Sequence, residues 1–260
     1  MSQSRALTDW IGFKTIIIRE FSRIVRIWGQ TIVPPAVTAT LYFVIFGSLI
    51  GRRVGQVGGY DYMQFMAPGI IMMNVIQTSY GNVVSSFFGA KFGKHIEELL
   101  VSPLPNWLIV TGYVMGGVLR GLLVGAVVTI ISLFFTRLSI HHALAIIMAA
   151  FLTSFIFALG GFINALFAKN FDQISWFPTF VLTPLTYLGG VFYSVTMLPG
   201  WAHVASHANP ILYMVSAFRF GFLGVSDVDL RVAYGIMVFA AAAMFTLAVA
   251  LLNRGTGIRD

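Results

Sequence analysis

The chain has 260 residues, of which 58% are hydrophobic and only 10% charged; it carries a formal net charge of +7 and no cysteine. Soluble domains carry roughly 25% charged and about 45–50% apolar residues, so this composition excludes an ordinary soluble domain and makes lipid the solvent. A disulfide framework and a thiolate metal site are excluded as well, and in a membrane chain the basic excess sets orientation rather than binding nucleic acid.

The first element is the stretch DWIGFKTIIIREFSRIVRIWGQ. Trp10, Phe13, Ile17, Phe21, Ile24 and Trp28 recur at steps of three or four, while Arg19, Arg23, Arg26 and Gln30 follow the same spacing on another face. The pattern predicts an amphipathic helix over 10–30 lying in the headgroup plane, in preference to a helix facing a soluble partner. The first long apolar run begins only near Thr31 and lacks an A-x-A cleavage site, so no cleavable signal peptide is expected.

Six membrane spans follow, expected at 31–50, 63–89, 107–135, 143–168, 174–193 and 233–252, since roughly 20 apolar residues cross the hydrocarbon. Span two is the most polar: Asn74, Thr78, Gly81 and Ser85 fall on one stripe, with Gln77 and Asn82 beside it. Span three holds Gly112, Gly116, Gly117, Gly121 and Gly125, the mark of close helix packing. Arg120 sits within that span with no acid at matching depth. Two readings of it stand open: it faces a wet cavity or an anionic cargo headgroup, or span three projects into the cytoplasm and the side chain snorkels. Span five contains Pro178 and Pro184. The segment 194–224 is too interrupted by Pro199 and Pro210 to span cleanly and too apolar for a solvated loop, which favours a re-entrant hairpin packed on protein over two short extra spans.

An even number of spans puts both termini on one side. With the N-terminus inside, ten Lys and Arg fall on inner segments and five on outer ones, which favours cytoplasmic termini. The stretch KFGKHIEELLVSPLP, beginning at Lys91, is then cytoplasmic. Phe92, Ile96, Leu99 and Leu100 form a helical stripe, and Lys94 and Glu98 are spaced for an i,i+4 ion pair. Pro103 disfavours helical geometry at Ser102, so a short two-faced helix over 91–103 is expected to stop there.

Two blocks resemble ABC-2-type permeases, the membrane subunits of one class of ABC exporters, and most closely the small stand-alone bacterial ones. The first is IEELLVSPLP. The second runs from Gly189 to Arg219 and contains Leu198–Pro199, Asn209–Pro210 and the closing Arg219. The blocks lie in the family's order and the flanking spans also match, so the likeness covers nearly the whole chain. His95–Ile96 replaces a more polar run found before the acidic pair in many relatives.

The resemblance implies an all-α membrane protein of one domain: an interfacial helix, six transmembrane helices, a cytoplasmic coupling helix between spans two and three, and a re-entrant helical hairpin between spans five and six. It implies a homodimer in the bacterial cytoplasmic (inner) membrane, surrounded by membrane lipids and driven by two ABC ATPase subunits. Docking to the ATPase would fall to Lys94, His95, Glu97, Glu98, Leu99 and Leu100. In relatives, spans two and five line the pathway, which makes Asn74, Gln77, Thr78, Asn82, Phe180, Thr183 and Tyr187 the pathway candidates here, with Arg120 a possible charged cavity residue.

No G-x-x-x-x-G-K-[ST] motif occurs, so no cofactor is expected on this chain; ATP and Mg would sit on the partner, and no catalytic or metal-binding residues are expected. The cargo is expected to be a lipid, glycolipid or hydrophobic small molecule. A secondary transporter is disfavoured because all nine acids fall outside the spans or at their ends. A non-transporting assembly protein would have no use for a coupling-type helix.

Overall fold

A computed structural model describes residues 2–257; the side chains of 2–5, 48–50, 52, 97, 100 and 196 lie outside the described set. The chain is almost entirely helical. Helix α1 (Ser2–Arg26) is followed after one residue by α2 (Trp28–Val44), a π-helical turn (Ile45–Gly51) and a single turn α3 (Arg52–Val54). A two-residue hairpin, β1 (Gln56–Val57) with β2 (Tyr60–Asp61), leads into α4 (Tyr62–Phe92). Then come α5 (His95–Val101), α6 (Asn106–Ser132), α7 (Ala143–Phe167), α8 (Phe171–Phe177) and α9 (Thr183–Tyr187). The helices α10 (Gly200–His207) and α11 (Pro210–Leu223) and the last helix α12 (Leu230–Asn253) complete the fold.

Among the described residues, four helical stretches are long and apolar enough to cross a membrane: Trp28–Gly47, Asn106–Ser132, Ala143–Phe167 and Leu230–Asn253. The other two expected spans differ for physical reasons. Helix α4 is long enough, at ~46 Å for a rise of about 1.5 Å per residue, but its amide and hydroxyl side chains lower its hydropathy. It is the centre of the bundle, buried along most of its length between α6, α7 and α11. The fifth stretch is shorter than expected and irregular, its helical backbone running from Phe171 only to Tyr187. Between α8 and α9 the backbone widens into a π-helical segment, Pro178–Leu182, at the first of its two prolines; a proline supplies no N–H to the ladder, so its carbonyl partner must be met otherwise.

The first helix boundary also moves. Only Ile27, at φ −106° and ψ 31°, leaves helical geometry, so α2 begins at Trp28 and holds Pro34 and Pro35 inside its second turn rather than at its start.

Small residues set the packing. A Cβ at Gly117 would meet Val83 at 2.6 Å and both Ala158 and the Ser79 carbonyl at 2.9 Å, so α6 lies against α4 and α7 at backbone range. One turn earlier on another face, a Cβ at Gly112 would meet Ile16 at 2.6 Å and one at Gly116 would meet Glu20 at 2.8 Å. Helix α1 thus keeps register with α6 over successive turns. The glycine series of span three is a packing series, as its spacing indicated.

The connections sort to two ends. At one end, the Lys91 ammonium donates to the carbonyls of Leu166 and Ala168 at 2.7 and 2.8 Å, completing the C-terminus of α7, and Asn106 donates to Asn253 at 2.7 Å. At the other, the N–H groups of His141 and His142 both donate to Gly221, and the Tyr62 hydroxyl donates to Phe192. The segments expected on the cytoplasmic face (93–105, 168–170, 253–257) share the first end.

Candidate functional site

Helix α5 stands at the first end. Lys94 precedes it at φ +60°, the only non-glycine residue in the left-handed region among those described; this turns the chain sharply out of α4. Ser102 is extended, at φ −65° and ψ 152°, and α5 ends at Val101, where Pro103 required it to. Ile96 is buried in a cluster with Phe88, Val110 and Leu166, and Leu99 is half-buried beside it. Of the expected stripe, Ile96 and Leu99 seat α5 on its own bundle; the helix starts at His95 rather than at 91, because the left-handed turn at Lys94 separates it from α4, so Phe92 ends α4 and is exposed.

What remains outward is Lys94, His95, Glu98 and, at 87% exposure, Val101. Leu99 also lines a cleft of about 490 Å³ that α5 forms with α1, shared with His95, Glu98 and Arg19. The expected Lys94–Glu98 ion pair is not among the described ones, because the left-handed Lys94 stands before the helix and out of its register. The side chains of Glu97 and Leu100 lie outside the described residues. Sequence reasoning missed Val101, although its position one residue before Ser102–Pro103 was a signal.

The second feature is a cavity of about 460 Å³ between α4 and the broken α8–α9 stretch. Gln77, Gly81 and Ser85 line it from α4, and Ser175, Pro178, Thr179 and Thr183 from the other side. Of the seven pathway candidates, only Gln77 and Thr183 line it. Thr183 donates to the Pro178 carbonyl at 2.8 Å, spanning five residues across the π-helical segment. Asn74 is buried and returns its amide to Ile70 of its own helix, and Thr78 does the same to Asn74. Phe180 points outward, 65% exposed, and Tyr187 bonds Tyr42 of α2 at 2.8 Å between hydroxyls.

Asn82 and Arg120 belong to a third feature, at the junction of α1, α4 and α6. Glu20, fully buried, accepts from Ser86 and from Arg23 at 3.2 Å. Arg23 also donates to the Asn82 side-chain oxygen at 2.6 Å and to its carbonyl at 3.0 Å, and Arg120 reaches the same side-chain oxygen at 3.4 Å. The polar face of α1 thus turns inward at Glu20 and Arg23, while Trp10, Ile18, Phe21, Val25 and Trp28 are exposed. Sequence spacing put Glu20 outside the spans and left Arg120 without an acid nearby. The signal for the cluster was the glycine pair on α6, which makes room for a bulky polar residue.

At the opposite end, Arg219 is completely buried over the Phe65 ring, 3.9 Å from its centroid. It donates to Asp227 at 3.0 Å, to the Gly190 carbonyl at 2.6 Å and to the Phe65 carbonyl at 3.2 Å. One guanidinium fork on α11 ties together α4, the turn after α9 and the approach to α12.

A packed helical bundle with four membrane-length apolar stretches among the described residues, a short two-faced helix at one end and a buried arginine suture at the other has the build of a multi-pass membrane protein. The ABC-2 type transporter family profile matches residues 11–223, and the chain belongs to that family. It is 54% identical over 251 residues to the inner membrane transport permease YadH of Escherichia coli K12, covering 96% of this chain and 98% of that protein. It is 28% identical over 218 residues to nodulation protein J of Rhizobium leguminosarum bv. trifolii, covering 82% of each. The protein is accordingly a membrane transport permease of the cytoplasmic membrane, of a family whose members work with ATPase subunits and are normally not enzymes themselves.

Proposed function

We propose that this chain is the membrane half of an ABC exporter, in which two copies form the pathway and α5 of each receives the stroke of a separate ATPase that binds ATP and Mg. The observation that carries this reading is the mounting of α5. A helix of seven residues cannot hold itself together, yet here Ile96 and Leu99 pin it, the Gly93–Lys94 turn joins it to α4, and Pro103 and Pro105 join it to α6. Its charged side and Val101 are left for a partner. Lys94, His95 and Glu98, with Glu97 and Leu100, make up the contact.

Displacement of α5 passes directly into α4, the helix that forms one wall of the 460 Å³ cavity. The opposite wall, α8–α9, is interrupted at Pro178 and so bends more readily than an unbroken helix. Six crossings with both termini in the cytoplasm fit this arrangement: α4 and α8–α9 line the pathway as the polar pair, and the four strongly apolar stretches face lipid or the bundle. Phe180 and Trp176, both exposed on the α8–α9 wall, suit a contact with the second copy or with an apolar cargo. A lipid, glycolipid or hydrophobic small molecule matches a cavity whose polar groups are hydroxyls and one amide.

The test is charge reversal at the contact. Glu97→Lys with Glu98→Lys is expected to leave the protein inserted, to lower co-purification of its ATPase at least tenfold and to abolish transport. Normal ATPase co-purification by the double variant would overturn the docking assignment.

A further inference from the structure

The buried junction of α1, α4 and α6 has more donors than it can use. Among the described residues, Arg19 and Arg23 reach the one acid there, Glu20, Arg19 also donating to the Tyr113 hydroxyl, and Arg120 joins the group through Asn82. That acid is already taken by Ser86 and Arg23, with Arg19 3.9 Å away. The Asn82 side-chain oxygen accepts from both Arg23 and Arg120. What is left over is uniform in kind: the Nε of Arg23, the Nε of Arg120 and the Nδ2 of Asn82 are all buried without a hydrogen-bond partner among the described residues, and Asn82 itself is fully buried. Among the described residues, Arg120 has one long bond, to Asn82.

Buried polar groups are normally paired, and each exception asks for an explanation. Three spare donors beside a formal surplus of two positive charges call for a ligand that only accepts and carries negative charge. Guanidinium groups match the oxygens of phosphate in geometry as well as charge. The same turns of α1 expose Ile18, Phe21 and Val25, so hydrocarbon attached to such a ligand would find an apolar surface next to the site.

We propose that Arg23, Arg120 and Asn82 form a phosphate-binding site that takes the headgroup phosphate of a membrane lipid. Free inorganic phosphate has the same chemistry and would use the same three donors. None of the three residues belongs to α5, and the site touches the cavity between α4 and α8–α9 only where Arg23 donates to Ser85 at 3.3 Å; its test reads lipid binding, so it stands or falls apart from the exporter reading.

The test uses the purified full chain in detergent with three probes: dioctanoyl phosphatidylglycerol, dioctanoylglycerol, which lacks the phosphate, and inorganic phosphate. Native mass spectrometry counts bound lipid, and thermal unfolding reports stabilisation by ligand. Phosphatidylglycerol is expected to be retained and dioctanoylglycerol not. Arg120→Gln is expected to weaken phosphatidylglycerol binding at least tenfold, whereas Arg26→Gln, at an exposed position on α1, leaves it unchanged. Competition by millimolar inorganic phosphate would support the site with a free anion as its occupant; failure to compete, with lipid binding still dependent on Arg120, would support it with the lipid. Wild-type affinity in Arg120→Gln, or equal retention of phosphatidylglycerol and dioctanoylglycerol, would overturn it. Asn82→Asp serves where Arg120→Gln does not fold. It supplies the missing negative charge internally and is expected to raise the ligand-free unfolding temperature while losing phosphatidylglycerol binding at least tenfold; an Asn82→Asp protein that binds lipid as wild type does would contradict the proposal.

Discussion

The two ends of this bundle use charged residues in opposite ways. At the Arg219 end, a guanidinium is wholly buried and each of its bonds goes to a different part of the fold: Asp227, Gly190 and Phe65. At the α5 end, Lys94, His95 and Glu98 are exposed, and the helix that carries them is held instead by Ile96 and Leu99. A buried charge whose bonds are spent within the chain maintains architecture. An exposed set of charges on a firmly seated helix is free to meet something else. The contrast separates a suture from the proposed docking surface without reference to residue type.

Damage at the two ends is expected to read out differently, and the largest effect belongs to the suture. Arg219→Met leaves Asp227 without its cation and strands two carbonyls. Loss of one partner from a buried pair costs about 3–5 kcal/mol, so the variant is expected to lose most of its folded yield in detergent, as followed by size-exclusion profile and thermal unfolding. Arg219→Lys restores charge but not the fork and is expected to recover only part of the loss.

Next comes the packing between the ends. Gly117→Val places two methyl groups where even a Cβ meets Val83 at 2.6 Å. Overpacking of this kind costs about 1–3 kcal/mol, visible as a lowered unfolding temperature with ATPase binding retained in the protein that folds. At the α5 end the order reverses. Glu97→Lys with Glu98→Lys is expected to change stability by less than about 0.5 kcal/mol, the range for surface substitutions such as that at the exposed Glu98, while the tenfold loss of partner corresponds to about 1.4 kcal/mol of binding. The smallest effect is that of Val101→Ser, a loss of about 1 kcal/mol in ATPase affinity, less than the value of fully burying a valine, with no change in unfolding. If Val101→Ser lowered the unfolding temperature as Gly117→Val does, the distinction between the ends would fail.

Much of this was legible in the sequence where a local rule decides the outcome. The stop of α5 follows from Pro103 acting on Ser102, and the starts of α10 and α11 fall at the prolines at 199 and 210. The helix packing of α6 follows from its glycines. Features decided by tertiary contact were not legible. The charge pattern of α1 assigned its polar face to solvent, and only Gly112 and Gly116, on another helix more than 90 residues away in sequence, admit Ile16 and Glu20 to the interior. Similarly, Asn74 and Thr78 look like cavity residues in a list of polar positions. Both can instead bond carbonyls one turn back on their own helix, and they do so. Gln77, between them in sequence, lies on the face that opens to the α8–α9 wall.

The central claim is that the α5 end, and not the Arg219 end, meets the ATPase. A photo-crosslinking amino acid placed at Val101, and separately at Phe134 just beyond α6 at the other end, tests it in intact cells; both positions are more than four-fifths exposed. The account predicts a crosslink from position 101 to a polypeptide bearing a nucleotide-binding P-loop, and none to that polypeptide from position 134. A crosslink to it from position 134, or its absence from position 101 in transport-competent protein, would contradict the account.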